Sequence, residues 1–86
     1  MSEIRTRCTQ GKLIVNDQYI RIELGQLKQQ TLLRSALTAI DSKMAFPSIF
    51  GFGATNLIFH GQGVERLQAN FVKTSVARDI KSMLGF

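Results

Sequence analysis

The sequence predicts a mainly β domain that ends in a single α-helix, and three observations carry this prediction. Residues 56–60 and 64–72 are rich in strand-forming side chains, and a glycine-containing turn at 61–63 separates them. Residues 19–24 alternate apolar and polar side chains, which is typical of a strand with one buried face. A short amphipathic segment begins near Thr74. A helix of about ten residues is only marginally stable alone in water, so it must pack against the sheet.

The first half of the chain predicts three short strands joined by turns. Residues 3–9 place Arg5 and Arg7 on one face and apolar or small side chains on the other. Residues 12–16 are rich in β-forming side chains, and an Asn-Asp turn signal separates them from the third strand. These three strands form the start of the predicted sheet.

The centre of the chain is compatible with two interpretations. Residues 25–30 are polar and predict a hairpin connection. Residues 31–41 predict strand through most of their length, because a helix there would leave the neighbouring strands without a continuous pairing partner. The alternative is a helix, because five apolar residues also recur at helical spacing. These are Leu32, Leu33, Ala36, Leu37 and Ile40.

The segment at 46–53 is unusually apolar for a connection. It contains Pro47, the single proline, together with two glycines and three of the six phenylalanines. Because proline lacks a backbone donor and glycine tolerates unusual dihedral angles, the segment predicts a loop before the strand at 56. The favoured role of this loop is to cap the open end of the strands. The alternative is that it presents Ile49 and Phe50 to a membrane or a partner protein.

Local signals bound the C-terminal helix on both sides. We predict a helix near 75–84, with Thr74 or Ser75 as the N-cap and Gly85 as the left-handed residue that closes it. One face of this helix is an apolar stripe that must lie against the sheet. The stripe consists of Val76, Ile80, Met83 and Leu84.

Length and composition favour one folded domain over residues 1–86. The chain is 44% hydrophobic, which argues against a disordered protein. Its apolar stretches are shorter than the roughly 20 residues that span a bilayer, and its first residues lack the pattern of a secretory signal. Cys8 is the single cysteine, which suits a reducing compartment. We therefore expect a cytoplasmic protein, with peripheral attachment to a membrane as the alternative.

No catalytic or metal-binding pattern stands out in the sequence. His60 is the single histidine and lacks the neighbouring Cys or His spacing of a metal site, so an ordinary residue at the end of a strand is expected. Cys8 is expected to be half-buried and structural. The six acidic residues are scattered, and the Gly-Phe-Gly at 51–53 lacks the Lys-Ser/Thr ending of a phosphate loop. We predict a protein that is not an enzyme and that needs no cofactor or metal.

Eleven basic residues against six acidic ones give a net charge of +5, which favours anionic partners. Four arginines are candidates for a basic surface: Arg5, Arg7, Arg21 and Arg34. Each basic residue near an anionic membrane contributes about 1 kcal/mol of binding free energy, and insertion of Phe50 would add to it. The alternative is a solvated face on which Glu23 and Glu65 offset the arginines, so that the charge serves solubility.

Three segments carry a family resemblance. Residues 11–23 are a strand, a short polar turn and an aliphatic strand; residues 37–41 fit a leucine-x-x-isoleucine pattern; and residues 49–53 combine hydrophobic residues with glycines before the strand at 57–59. With the terminal helix last, this order resembles the pleckstrin-homology-like (PH-like) superfold, especially its small bacterial members and the GRAM domains. The resemblance implies a partly open antiparallel barrel of six or seven strands, capped by the helix. It also implies a scaffold that binds lipids, peptides or proteins.

Three functions follow in order of preference. The first is protein binding or self-assembly, by strand addition at a sheet edge or in a groove beside the helix; small bacterial relatives form rings, so the resemblance implies self-association. The second is binding to anionic phospholipids through the four arginines, without specific inositol-phosphate recognition, because the turn at 16–17 is short and poor in basic residues. Nucleic-acid binding ranks third, because the aromatic residues do not interleave with basic ones.

Overall fold

The computed structural model describes residues 3–25, 27–49, 52–63 and 66–86, which form seven strands and one α-helix. A single 3₁₀ turn at Arg34–Ala36 separates the fourth strand from the fifth. The elements are β1 (Glu3–Cys8), β2 (Gly11–Asn16), β3 (Tyr19–Glu23), β4 (Gln29–Leu33), β5 (Leu37–Ile49), β6 (Phe52–Gly61), β7 (Arg66–Lys73) and α1 (Thr74–Leu84). The prediction of a mainly β chain with one C-terminal helix is confirmed.

The strands form two antiparallel sheets. The first sheet has the order β1-β2-β3-β4 and the second has the order β5-β6-β7, and strand pairing does not close them into a barrel. The sheets meet where the turn after β1 reaches β7. The backbone N–H of Thr9 donates to the carbonyl oxygen of Asn70 at 2.8 Å, and the N–H of Asn70 donates to Oε1 of Gln10 at 2.9 Å. These hydrogen bonds hold the end of β1 against β7.

The core lies between the two sheets and the helix. Alternate residues of the strands face it, as the predicted period of two requires. Burying one Val, Leu, Ile or Phe side chain fully stabilises the fold by about 1.5–3 kcal/mol relative to leaving it exposed. The largest side chains that are almost completely buried are Leu13, Val15, Ile20, Ile22, Leu57, Phe59, Val72 and Ile80.

The helix keeps the predicted apolar face and C-terminus. Ile80 and Leu84 are buried together with Ala77, and Val76 and Met83 are partly buried against the core. Gly85 has a φ of 81° and closes the helix in the left-handed conformation, as predicted. Its N–H donates to the carbonyl oxygen of Ser82 at 3.2 Å, and the next N–H along the chain donates to that of Lys81 at 2.8 Å. The last turn is therefore well satisfied.

The predicted N-cap is wrong. The helix begins at Thr74, the capping position is Lys73, and no side chain bonds the first turn there. The hydroxyl of Thr74 is engaged elsewhere, 3.0 Å from the hydroxyl of Thr55 on β6. β7 runs to Lys73 and α1 begins at the next residue, which leaves no separate capping residue.

Two predictions about the middle of the chain need correction. The helical alternative for 31–41 is wrong, because the segment is strand except for the turn at Arg34–Ala36. The predicted loop at 46–53 is also wrong, because β5 continues to Ile49 and β6 starts at Phe52. Pro47 is tolerated because β5 is an edge strand with irregular pairing on either side of Phe46. The predicted roles of the Ile49 and Phe50 side chains lie outside what the structure describes.

Candidate interaction surfaces

The outer edge of β5 is the longest unpaired edge in the described part of the chain. β5 has 13 residues and pairs with β6 on one side. Its pairing with β6 is regular from Ala39 to Met44 and irregular beyond either end of that window. Ala39 and residues 41–44 are exposed. A regular stretch of strand therefore presents its outer backbone groups to solvent.

Side chains alternate along this window between two faces. Ile40, Ser42 and Met44 lie opposite Phe59, Leu57 and Thr55 of β6, all of which are buried, so they belong to the core side. Met44 is nevertheless 74% exposed. Asp41 and Lys43 lie on the opposite face, next to Ile58 and Asn56 of β6. The window is therefore apolar at its ends on the core side and carries one acid and one base on the other side.

His60 lies near the end of β6, as predicted, and bonds to this edge strand. Its Nε2 is 2.9 Å from Oδ2 of Asp41, and both side chains are partly exposed. This pair spans the outer face of β5 and β6. It fixes the carboxylate of Asp41 beside the unpaired edge.

A groove of about 200 Å³ lies between β5 and the helix. Nζ of Lys81 donates to Oγ of Ser42 at 3.5 Å across it. Two of its lining side chains are basic, so the groove favours acidic or neutral occupants. The lining residues are Ser42, Thr55, Thr74, Ala77, Arg78 and Lys81.

The outer face of the first sheet brings three of the four predicted arginines together. Arg5 lies opposite Ile14, and Ile14 lies opposite Arg21, so one row crosses three strands. In the adjacent row, Arg7 lies opposite Lys12. Ile14 faces away from the core and is still only 6% exposed. We call the surface formed by Arg5, Arg7, Lys12, Ile14 and Arg21 the basic face.

Two of the arginines on the basic face already have partners. Nε of Arg5 donates to Oε2 of Glu3 at 2.8 Å. This bond, followed by one from Asn16 at 3.4 Å, lowers the pKa of Glu3 below its ordinary value. Nε of Arg21 donates to Oγ1 of Thr31 at 3.1 Å, and its guanidinium lies 4.4 Å from the centre of the Tyr19 ring.

Arg7 and Lys12 are the unusual pair of the basic face. They stand directly opposite each other on β1 and β2, an arrangement in which like charges repel. A depression of about 240 Å³ lies over them. Its lining residues are Arg5, Thr6, Arg7, Lys12, Ile14 and Glu23. Glu23 of β3 lies opposite Lys12 and lines the same depression, so a carboxylate of the chain already offsets part of this charge, as the solvated-face alternative expects. A bound anion would offset the remainder.

Leu27 stands at the same end of the first sheet. It lies in the connection between β3 and β4 and is 98% exposed. Nearby shallow surfaces connect it through Gly25 and Glu23 to Lys12. Its neighbour Lys28 is also exposed. An apolar tip beside cations suits the surface of an anionic membrane.

Arg34 does not belong to the basic face. It lies in the 3₁₀ turn, and its Nη2 donates to the carbonyl oxygen of Leu84 at 2.8 Å. Its guanidinium also lies 5.5 Å from the centre of the Phe86 ring. A cation at this position meets the negative end of the helix dipole. The grouping of Arg34 with the other three arginines therefore fails, and its role is to hold the end of the helix.

Other chemistry is sparse in the described part of the chain. Among those residues, no three His, Cys, Asp or Glu side chains come close enough to hold a metal ion. Cys8 is half-buried, as predicted. Across the described ranges, no helix combines the length and hydrophobicity needed to cross a bilayer.

Comparison with known proteins does not place this chain in a family. The chain matches no protein-family model, no curated protein and no solved structure. The β5 edge and the basic face are therefore the features that indicate function.

Proposed function

We propose that this chain is a non-enzymatic, cytoplasmic interaction module of PH-like fold, which binds a protein strand along the outer edge of β5. The observation that carries this proposal is the regular window from Ala39 to Met44 on an edge strand of 13 residues. The PH-like assignment is supported by the element order of four strands, three strands and one terminal helix. It is also supported by the contacts of α1 with β1, β6 and β7.

Strand addition fits this edge for a physical reason. An exposed edge strand offers unpaired N–H and C=O groups, and proteins usually protect such edges by shortening, bulging or charging them. In β5, Pro47 and the pairing irregularities lie outside the window, so the regular part is left open. An added strand would form hydrogen bonds with the unpaired backbone groups of β5 there. The side chains of the added strand would enter the groove beside α1.

The binding test uses peptides selected from a random library against the folded chain. We expect the selected peptides to shift the backbone amide resonances of residues 39–44. Met44→Glu should weaken their binding by on the order of tenfold, because it charges an apolar end of the window. Leu27→Glu is the matched control, because it introduces the same charge at an exposed hydrophobic residue that lies in the β3–β4 connection of the other sheet. Peptides that shift only the first sheet, or that bind both variants equally, would contradict the proposal.

A second candidate function is attachment to anionic membranes through the basic face. It is favoured by the opposed cations Arg7 and Lys12 and by the exposed Leu27 at the same end of the sheet. We expect salt-sensitive co-sedimentation with vesicles that contain phosphatidylserine, and no binding to phosphatidylcholine alone.

The charge-matched comparison for this second function is Arg7→Glu against Arg66→Glu. Both change the net charge equally, and only the first lies on the basic face, because Arg66 is an exposed residue of β7 in the second sheet. Arg7→Glu should weaken vesicle binding by on the order of tenfold, with Arg66→Glu close to the unaltered chain. Equal loss in both variants would assign the binding to net charge and would remove the basic face as a site.

A further inference from the structure

We propose that the strand added to β5 is the β5 strand of a second copy of this chain, antiparallel and centred on Ser42. This inference rests on strand addition at the β5 edge and names its occupant. In this arrangement, Ser42 of one copy lies opposite Ser42 of the other. The residues on either side of it then determine whether the two copies match.

The charges next to Ser42 are self-complementary. Antiparallel pairing about Ser42 places Asp41 of each copy opposite Lys43 of the other, so the pair occurs twice. Both residues are exposed and lie on the same face of the sheet. Opposite charges that face each other across antiparallel strands stabilise the pairing.

The apolar residues match in the same register. Ile40 of each copy lies opposite Met44 of the other, again twice. Both lie on the core side of β5, where Ile40 already packs against the core while Met44 is 74% exposed. The second copy would therefore cover the most exposed apolar side chain of the window and extend the core across the junction.

Neighbouring registers fail on charge. Side chains that face each other in an antiparallel pair lie on the same side of the sheet. A change of register must keep these faces matched, so the smallest changes move the centre of the pairing from Ser42 to Asp41 or to Lys43. One such step places Asp41 opposite Asp41, and the step in the other direction places Lys43 opposite Lys43. Each of these sets like charges against each other. The register centred on Ser42 is the one that pairs acid with base within the regular window.

This geometry closes on itself. The same edge serves both copies across a two-fold axis, so the assembly stops at two chains. The two three-stranded sheets would join into one continuous sheet of six strands. The assembly is therefore a dimer, in contrast to the rings implied by the family resemblance.

Charge reversal gives the first test, by sedimentation equilibrium of the full chain. Asp41→Lys and Lys43→Asp should each weaken the dimer by on the order of tenfold or more, because each creates two like-charge pairs. A mixture of the two variants should restore dimers of one copy of each, because Lys then faces Asp at both positions. His60→Ala is the control, because it removes the hydrogen bond to Asp41 and leaves both charges in place.

Cross-linking gives the second test, in a Cys8→Ser background. Ser42→Cys should form an intermolecular disulfide, because the two copies of this residue face each other. Ala39→Cys should not, because its two copies would lie six positions apart along the strands, roughly 20 Å. Equal cross-linking at both positions would overturn the register.

A strictly monomeric chain over a wide concentration range would overturn the second copy as occupant. If library peptides still bind along β5 in that case, the edge remains a binding site and only this inference fails. If they do not, strand addition fails as well. Dimers that survive both charge reversals, with no preference for the mixed pair, would place the interface elsewhere.

Discussion

The two sheets of this protein differ in how their edges are covered. In the first sheet, β1 contacts β7 through the bonds of Thr9 and Gln10 to Asn70. β4 has only five residues and also lies against β7. In the second sheet, β7 is the strand that receives both of these contacts. No strand pairs with the outer edge of β5 among the described residues, although β5 is the longest strand there.

This difference shows which strand edge the fold leaves exposed. Short, contacted or bulged edges resist pairing with other chains, whereas a long regular edge invites it. Here the protected edges surround the core, and the open one lies beside the groove of α1. The comparison predicts that changes at the first sheet act on stability, whereas changes at residues 41–44 act on association.

The largest effect on stability is expected from Gly11→Ala in the first sheet. Gly11 has a φ of 147°, and a Cβ there would lie 2.0 Å from the carbonyl oxygen of Glu23 on β3. The clash involves backbone, so β2 and β3 would have to separate. We expect a loss of about 3 kcal/mol in the free energy of unfolding, measured by urea denaturation.

Gly25→Ala is the matched control for this prediction. Gly25 also has a positive φ, of 105°, but no atom lies within 4 Å of the added Cβ. Only the backbone conformation is disfavoured, so the loss should be about 1 kcal/mol. Equal losses in the two variants would show that the close approach of Gly11 to β3 is unimportant.

A smaller effect is expected at the junction of the first sheet with the helix. Arg34→Met removes the donor to the carbonyl oxygen of Leu84 and the cation beside the Phe86 ring. We expect a loss of about 1.5 kcal/mol in the free energy of unfolding. Arg34→Lys keeps the charge and should recover part of it. If Arg34→Met instead abolished vesicle binding at unchanged stability, Arg34 would belong with the basic face after all.

At the bulge in β7, introducing a glycine should be better tolerated than introducing an alanine. Phe71 has a φ of 59°, and its N–H donates to Oδ1 of Asn56 at 3.0 Å, where the pairing of β6 and β7 shifts. Its side chain is 57% exposed, so replacing it sacrifices little burial. Phe71→Gly should be more stable than Phe71→Ala by about 1 kcal/mol, because alanine keeps a Cβ in the left-handed region. Equal stabilities in thermal denaturation would argue against the bulge.

Much of the fold could be predicted because local signals and burial agree. Ile20 and Ile22 alternate with Arg21, and the structure buries the first two and leaves the third outside. Gly85 closes the helix because the left-handed conformation suits it. The loop predicted at 46–53 is wrong because proline and glycine disfavour most strands but not this one. An edge strand accepts a proline, since its outer side needs no donor.

The functional surfaces were only partly predictable, because they depend on pairing between strands. Arg7 and Lys12 are equally distant from the turn between β1 and β2, so a hairpin register would have placed them opposite each other. That register was the missing signal. Arg34 was misplaced because its partner, Leu84, is 50 positions away in sequence. Asp41 and Lys43 indicate a self-complementary interface only once β5 is known to be an edge strand.

The smallest expected effect concerns the ion pair of Glu3 and Arg5 on β1. The hydrogen bond from Arg5 lowers the pKa of Glu3 in the folded state. Its stabilising contribution is therefore present above the ordinary Glu pKa and is lost as the pH falls through the lowered value. Glu3→Gln should be slightly less stable than the unaltered chain at neutral pH, and the difference should vanish in acid and in high salt.

The same variant sharpens the comparison between the two surfaces. With Glu3 neutralised, Arg5 is released on the basic face and the net charge rises, so binding to phosphatidylserine vesicles should increase if that face meets membranes. The β5 edge contains neither residue, so dimerisation should be unchanged in sedimentation equilibrium. A shift in dimerisation without a change in vesicle binding would mean that copies meet through the first sheet. The assignment of the two surfaces would then be reversed.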